Sequence, residues 1–375
     1  MGWRVVLLLL CGLLTAPSGH ATDKDEDKLL NIFVWADSIA PEVIAGFEKE
    51  TGIHVIYNAF DSNESAEAKL LTGETGYDII SPTLSPYFMR LKDLGLLEPI
   101  NLALVPNTKN LDPDIIAYLE NNKVSLQYGI PYIWGTIGYG YNEEKLKTIF
   151  PEGIPNDSLT LIYDAENLKR LTQCGVQLLD SPHDVFVTLL YYLGVPKAEH
   201  LPLEALQKAQ AHLSSIHPYI DRFEAFADNT TRALVSGDAC VVQCWSSQCL
   251  AAQIETQKEG KPYKIVYVIP KEGAAVWFDM LAIPKKAPHP DNAAKFINYL
   301  LQPKMAAINA EKGYVTPTVK GALQYLPPIM TQEPTFYPYP KQFKDNPMVP
   351  NLPFRHEKAL TRLWYKAKME APQPS

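Results

Sequence analysis

Two periods of apolar spacing alternate along the chain. Ile32-Phe33-Val34, after Asn31, form a short continuous apolar run and read as a buried strand. Ala40 to Lys49 carries Val43, Ile44 and Phe47 on one helical face, with Pro41 near its start and Thr51-Gly52 at its end. Ile53 to Tyr57 is a second strand, so the first segment is a βαβ unit. Ser65 to Leu71 predicts a short helix, and Tyr77 to Pro82 a third strand stopped by proline. The pattern returns later, with strands predicted at Cys240-Val241-Val242, at Ile265 to Ile269 and at Met280 to Pro284. A helix is expected from Asp291 to Leu301, with Asp291 near its N-terminus. Strands alternating with helices imply parallel sheets covered on both faces. The last fifty residues are rich in proline and aromatics and read as a tail wrapped over a surface.

The first 21 residues stand apart. Arg4 precedes an apolar run from Val5 that continues through Leu14, and Gly19-His20-Ala21 is a small-x-small site. This is the pattern of a secretory signal peptide, residues 1–21, cut after Ala21. A membrane anchor is the rival reading, against which the run is short for a bilayer. Losing Arg4 takes the formal net charge from −8 to −9. No basic cluster suits a phosphate backbone, so no nucleic acid partner is expected. An acidic surface is compatible with a cationic ligand. The length suits two domains, and 46% hydrophobic residues can supply full cores.

Cys174, Cys240, Cys244 and Cys249 lie beyond the leader and allow three disulfide connectivities. A metal site is the alternative, but the spacing forms no CxxC pair and no HxxxH partner exists. An oxidising compartment favours disulfides. Catalytic signatures are missing: GxSxG, HExxH, a P-loop and a GxGxxG after a strand do not occur. His183 beside Asp184 reads as a solvated helix start, and Tyr191-Tyr192 as core packing within an apolar helix.

In an open parallel sheet, ligands bind beyond the carboxyl ends of the strands. Trp35 and Asp37 follow the first strand, and Thr83 and Ser85 follow the third. Trp277 and Asp279 repeat the aromatic-x-carboxylate spacing in a segment placed between two strands. A carboxylate beside an indole suits an organic ammonium. The carboxylate accepts charge-assisted hydrogen bonds, and the indole face adds cation–π attraction. Two such grips, with Trp245 as a further wall, would suit a linear diamine. The bland alternative is a core tryptophan followed by a capping aspartate.

Ordered stretches carry a family resemblance. They include Trp35-Ala36-Asp37, Phe47-Glu48-Lys49-Glu50-Thr51-Gly52-Ile53, Phe60-Asp61-Ser62-Asn63-Glu64, Pro131-Tyr132-Ile133-Trp134-Gly135, Cys174-Gly175-Val176, Gly237-Asp238-Ala239-Cys240 and Ile269-Pro270-Lys271-Glu272-Gly273. Over nearly the whole chain after the leader, the sequence resembles periplasmic polyamine-binding proteins of spermidine/putrescine ABC importers, most of all the putrescine branch. The resemblance implies an α/β, two-lobed periplasmic binding protein fold of type II. Each lobe would be a mainly parallel sheet flanked by helices. Lobe 1 would span 28–134 plus 263–312, and lobe 2 138–258 plus 318–370. Crossover strands would join them near 135–138, 259–261 and 313–317.

The family's ligand contacts fall on Trp35, Asp37, Ser38, Thr83, Asp184, Trp245, Gln248, Trp277, Asp279 and Tyr314. Asp184 stands at a glutamate position, Thr83 at a serine and Trp277 at a phenylalanine. Ser38 replaces a tyrosine, Ala36 a serine, and Gln248 a carboxylate. An amide in place of that carboxylate weakens a grip on an ammonium. Cys174 and Cys240 match a family disulfide, which leaves Cys244 and Cys249 as an additional pair. The implied protein is a non-catalytic, monomeric periplasmic receptor without a cofactor or metal, delivering a putrescine-like amine to an inner-membrane ABC permease. The alternatives are a receptor for agmatine, a guanidinium or a quaternary amine, an amine-sensing module, and a secreted enzyme on the same lobes.

Overall fold

The computed structural model describes residues 27–36, 38–73, 75–195, 202–332, 352 and 354–369. The leader segment and Asp37 lie outside the described residues. β1 (Leu29–Trp35), α1 (Pro41–Thr51) and β2 (His54–Phe60) form the expected βαβ unit, with β1 and β2 parallel from Leu29↔His54 to Trp35↔Phe60. Pro41 opens α1, and Gly52, at φ 72°, closes it with its N–H on Glu48 O. α2 (Asn63–Leu70) follows, capped by Ser62. β3 (Ile79–Ile80) is shorter than the run from Tyr77 to Pro82 and adds to the far side of β1. Alternation along β1 feeds two cores. Leu30, Ile32 and Val34 join one buried cluster, and Phe33 joins another with Phe60 and Ile80.

β4 (Leu97–Glu98) is a short edge, and then comes the longest strand, β5 (Ile130–Asn142), buried along its whole length. The resemblance implies a crossover strand near 135–138, and β5 covers it; the local pattern of Pro131 and the glycines at 135, 138 and 140 argues against a central strand. The glycines answer to close neighbours. A Cβ on Gly135 would lie 2.4 Å from Trp277 Cζ2, and one on Gly140 would lie 2.4 Å from Cys249 Sγ.

β6 (Val176–Leu179), α3 (Pro182–Tyr192), α4 (Leu203–Ile216), β7 (Arg222–Glu224), β8 (Val241–Trp245) and α5 (Ser246–Lys258) build the second half. β9 (Ile265–Val268), β10 (Val276–Leu281) and β11 (Ile283–Pro284) then return the chain. α6 (Pro290–Leu300), α7 (Pro303–Gly313), β12 (Thr316–Pro317) and α8 (Phe354–Met369) complete it. β5 changes partners part-way. Ile130 to Thr136 pairs with β10 and β12, and Ile137 to Asn142 with β8 and β9.

The sheet expectation needs refining. β2-β1-β3 and β8-β6-β7 are parallel, whereas β5 runs antiparallel to every partner. β5 pairs with β8, β9, β10 and β12, all later in the chain and all antiparallel to it, so the sheet it joins is mixed. The predicted position of Trp277 and Asp279 is also corrected: both lie inside β10, not between strands. Asp291 lies in the first turn of α6, and the N-cap position itself is His289.

The large second core gathers β6, α3, α4 and α8. From α8, Trp364 stacks edge-on against Phe223 at 5.2 Å, and Lys368 Nζ meets Asp180 Oδ1 at 2.8 Å. Tyr191 is buried in this core. Val319, Ala322, Leu326 and Met330, from the segment assigned to lobe 2, instead pack into the cluster around β1 and α1.

Candidate ligand-binding site

Asp279 is the most constrained polar group of the candidate set. The register of β10 against β5 shifts between Asp279 and Met280, opposite Pro131, which has no N–H to pair. Asp279 as a residue is 7% exposed. Thr83 Oγ1 donates to Asp279 Oδ1 at 2.8 Å, and Asn63 Nδ2 donates to Thr83 Oγ1 at 3.0 Å. Burial raises the Asp279 carboxyl to about 7, opposed by Thr83 and by the nearby Trp35 indole. Trp35 Nε1 itself is buried without a hydrogen bond. Trp35 sits at the end of β1, its ring tilted on Phe60 at 4.6 Å. Trp277, two residues before Asp279, projects from the same face of β10 and packs against both large cores.

A second carboxylate occupies the other half. Asp184 lies in the first turn of α3, where an acid complements the helix dipole. Trp245, the last residue of β8, donates its Nε1–H to Asp184 Oδ2 at 3.0 Å. Burial pushes Asp184 up to about 6 and Glu64 adds to the rise, while Ser181, His183 and Trp245 oppose it. Each carboxylate therefore stands beside an indole. Adjacent residues at the start of α2 connect them: Asn63 reaches Thr83, and the charge of Glu64 acts on Asp184.

The other expected residues divide. Ser38 Oγ donates to Trp35 O at 2.8 Å, and Ser38 O accepts from Tyr132 Oη at 2.8 Å, so Ser38 holds the turn after β1. Gln248 has its Oε1 on the Trp245 backbone N–H at 3.2 Å, which makes it a helix-capping group of α5. Tyr314 takes a left-handed conformation, φ 51°, at the end of α7 and packs on the first core. The cysteines form disulfides Cys174–Cys240 and Cys244–Cys249, with Cα atoms 5.5 and 6.2 Å apart. His183 is not a solvated residue: its Nε2 lies 2.7 Å from Glu357 Oε2 of α8, and both side chains are largely buried.

Sequence reading overlooked Asn63, Glu64 and Tyr87 as site groups. Tyr87 donates its hydroxyl to Glu64, and its ring lies 6.4 Å from that of His183. The signal was present for two of them, because Asn63 and Glu64 follow the C-terminal end of β2, where a ligand crevice is expected. An open cleft of about 830 Å³ lies elsewhere, between Cys174, Asp221 and Arg232, and touches none of these groups.

The model of a family described as bacterial extracellular solute-binding protein matches residues 42–341. The chain belongs to this family. The putrescine-binding periplasmic protein SpuD of Pseudomonas aeruginosa is 36% identical, over 96% of this chain and 97% of its own. The putrescine-binding periplasmic protein PotF of Escherichia coli is 35% identical, over 96% of each. A structure titled as a putative spermidine/putrescine ABC transporter from Listeria monocytogenes superposes with a TM-score of 0.78 at 31% identity, covering 91% of this chain and 99% of the other. Within the solute-binding family, the chain groups with these polyamine ABC-transporter receptors, proteins of transport rather than of catalysis. The α/β periplasmic binding protein fold follows from the same matches. Among the described residues, no helix of this solute-binding protein is long and apolar enough to cross a membrane.

Proposed function

We propose that this chain is the periplasmic receptor for a putrescine-like di- or polyamine, closing on it as a monomer and delivering it to an ABC permease. One observation carries the reading: two buried or half-buried carboxylates, Asp279 and Asp184, each set beside an indole, in two halves that β5 joins. Each pair offers charge-assisted acceptors and a π face to one ammonium. Trp35, Trp245 and Trp277 would wall the methylenes, with Asp37 adding a carboxylate after β1. The relatives named for putrescine support the same ligand class. The lobes are drawn as predicted, except that 318–332 joins lobe 1, where its side chains pack. Residues 1–21 act as a cleaved leader. Ligand binding would stabilise the closed arrangement, and the permease would read that shape.

A receptor for agmatine is the second reading. It is favoured by a relative from Pseudomonas aeruginosa named a putrescine/agmatine-binding protein, 34% identical over 97% of this chain. Calorimetric titration of ligand-stripped protein with putrescine, cadaverine, spermidine and agmatine tests both, alongside Asp279→Ala. Tight binding of one amine, lost in the variant, is expected. Absence of heat with all four would refute the polyamine assignment.

A further inference from the structure

The corner between β8 and α5 has no linker. Trp245 ends the strand and Ser246 begins the helix. Trp245 therefore occupies the N-cap position, where serine, threonine, asparagine or aspartate would normally satisfy a free backbone N–H. An indole has no acceptor for that task. Three other features hold the corner. Gln248 Oε1 takes the Trp245 N–H at 3.2 Å, and Thr231 Oγ1 donates to Gln248 O at 3.2 Å. The third is covalent: Cys244 and Cys249 bridge the residue before Trp245 to the start of the second helical turn. Both sulfurs are fully buried among Leu234, Val242, Ala252 and Tyr267. Gly140 on β5 leaves the space that Cys249 Sγ fills.

We propose that the Cys244–Cys249 disulfide is a positioning device for the amine site, holding the β8–α5 corner so that the Trp245 indole stays hydrogen-bonded to Asp184. The bridge replaces the cap that position 245 gives up to place an indole in the crevice. This rests on the receptor reading above, in which Trp245 and Asp184 form one ammonium grip. The other disulfide, Cys174–Cys240, ties β6 to β8 at the far end of the strands and serves as the internal control.

The test compares the mature wild type with Cys244→Ala/Cys249→Ala and with Cys174→Ala/Cys240→Ala. Two readouts are taken well below each melting temperature. The first is the Trp245 indole N–H resonance in 15N spectra, assigned by its loss in Trp245→Phe. The second is the putrescine Kd. In the Cys244/Cys249 variant, the indole N–H should exchange faster with solvent and the Kd should rise about tenfold, as expected if only a tenth of the molecules hold the competent corner. The control variant should change neither. In an Asp184→Asn background, removing the disulfide should cause no further loss of affinity, a coupling that plain destabilisation would not produce. An unchanged indole resonance, or equal affinity losses in both disulfide variants, would overturn the proposal. Should the wild type bind no amine, the receptor reading fails, and the indole resonance alone still decides the positioning role. If the alanine pair does not fold, Cys244→Val/Cys249→Ala restores part of the volume. Failure of that pair too would make the bridge a folding staple and end the proposal.

Discussion

Replacing Asp279 with asparagine should make the ligand-free protein more stable at neutral pH while removing amine binding. The native carboxyl sits at about 7 because burial penalises its charge. An unfolded aspartate titrates near 3.9. Because the native pKa is raised, the folded state binds more protons than the unfolded state between these values. Stability therefore falls as pH rises from about 4 to about 7, and the full penalty is present above that window. A difference of about three units corresponds to about 4 kcal/mol at pH 8, as an upper bound. Asparagine keeps an oxygen for the Thr83 hydroxyl but carries no charge to desolvate. The assay is urea unfolding of ligand-stripped wild type and Asp279→Asn at pH 4, 6 and 8. The variant should gain at pH 8, gain less at pH 6 and show little difference at pH 4. With putrescine at a hundred times its Kd, the wild type should recover about 2.7 kcal/mol and the variant nothing. A variant no more stable than wild type at pH 8, or a gain independent of pH, would refute the argument that Asp279 is a strained carboxylate held for a cation.

Other consequences follow from the same geometry. Affinity for putrescine should fall roughly a thousandfold between pH 8 and pH 5, since Asp279 at about 7 and Asp184 at about 6 must both be ionised to meet ammonium groups; calorimetry across that range checks it. Gly135→Ala should destabilise the fold by roughly 1–3 kcal/mol and weaken binding, because the new methyl would lie 2.4 Å from the Trp277 ring and 2.5 Å from Ser246 Oγ; paired melting and titration data report both effects. Removing Cys174–Cys240, which closes a separation of 66 residues, should cost about 4 kcal/mol of stability with affinity retained, as denaturant titration and calorimetry would show.

Local pattern determined a good part of this protein. The βαβ unit, the helix after Pro41, the cap at Gly52 and the placement of Thr83 beyond a strand end are legible, because each depends on neighbours a few residues away; Trp35, expected just after the first strand, is its last residue. The first 21 residues, which lie outside the described residues, carry the sequence pattern expected of a secretory leader. The ordered motifs pointed to the family, since order and spacing together carry more than any one of them.

Tertiary structure decided the rest. Local pattern alone hides β5, which only the resemblance implied near 135–138, because Pro131 and three glycines look like strand breakers until their partners are in place; Trp277 and Cys249 occupy the space left at Gly135 and Gly140. Gln248 reads as a weakened ligand in sequence, yet its oxygen serves the Trp245 N–H, a choice visible only once the corner is folded. The union of Asp184 with Trp245, 61 residues apart, and of Asp279 with Thr83, 196 apart, could not be read from spacing. Spacing along the chain states which side chains can share one helix or strand. Which carboxylate is buried, and how far burial raises its pKa, depends on chains that meet from distant positions and exclude water together.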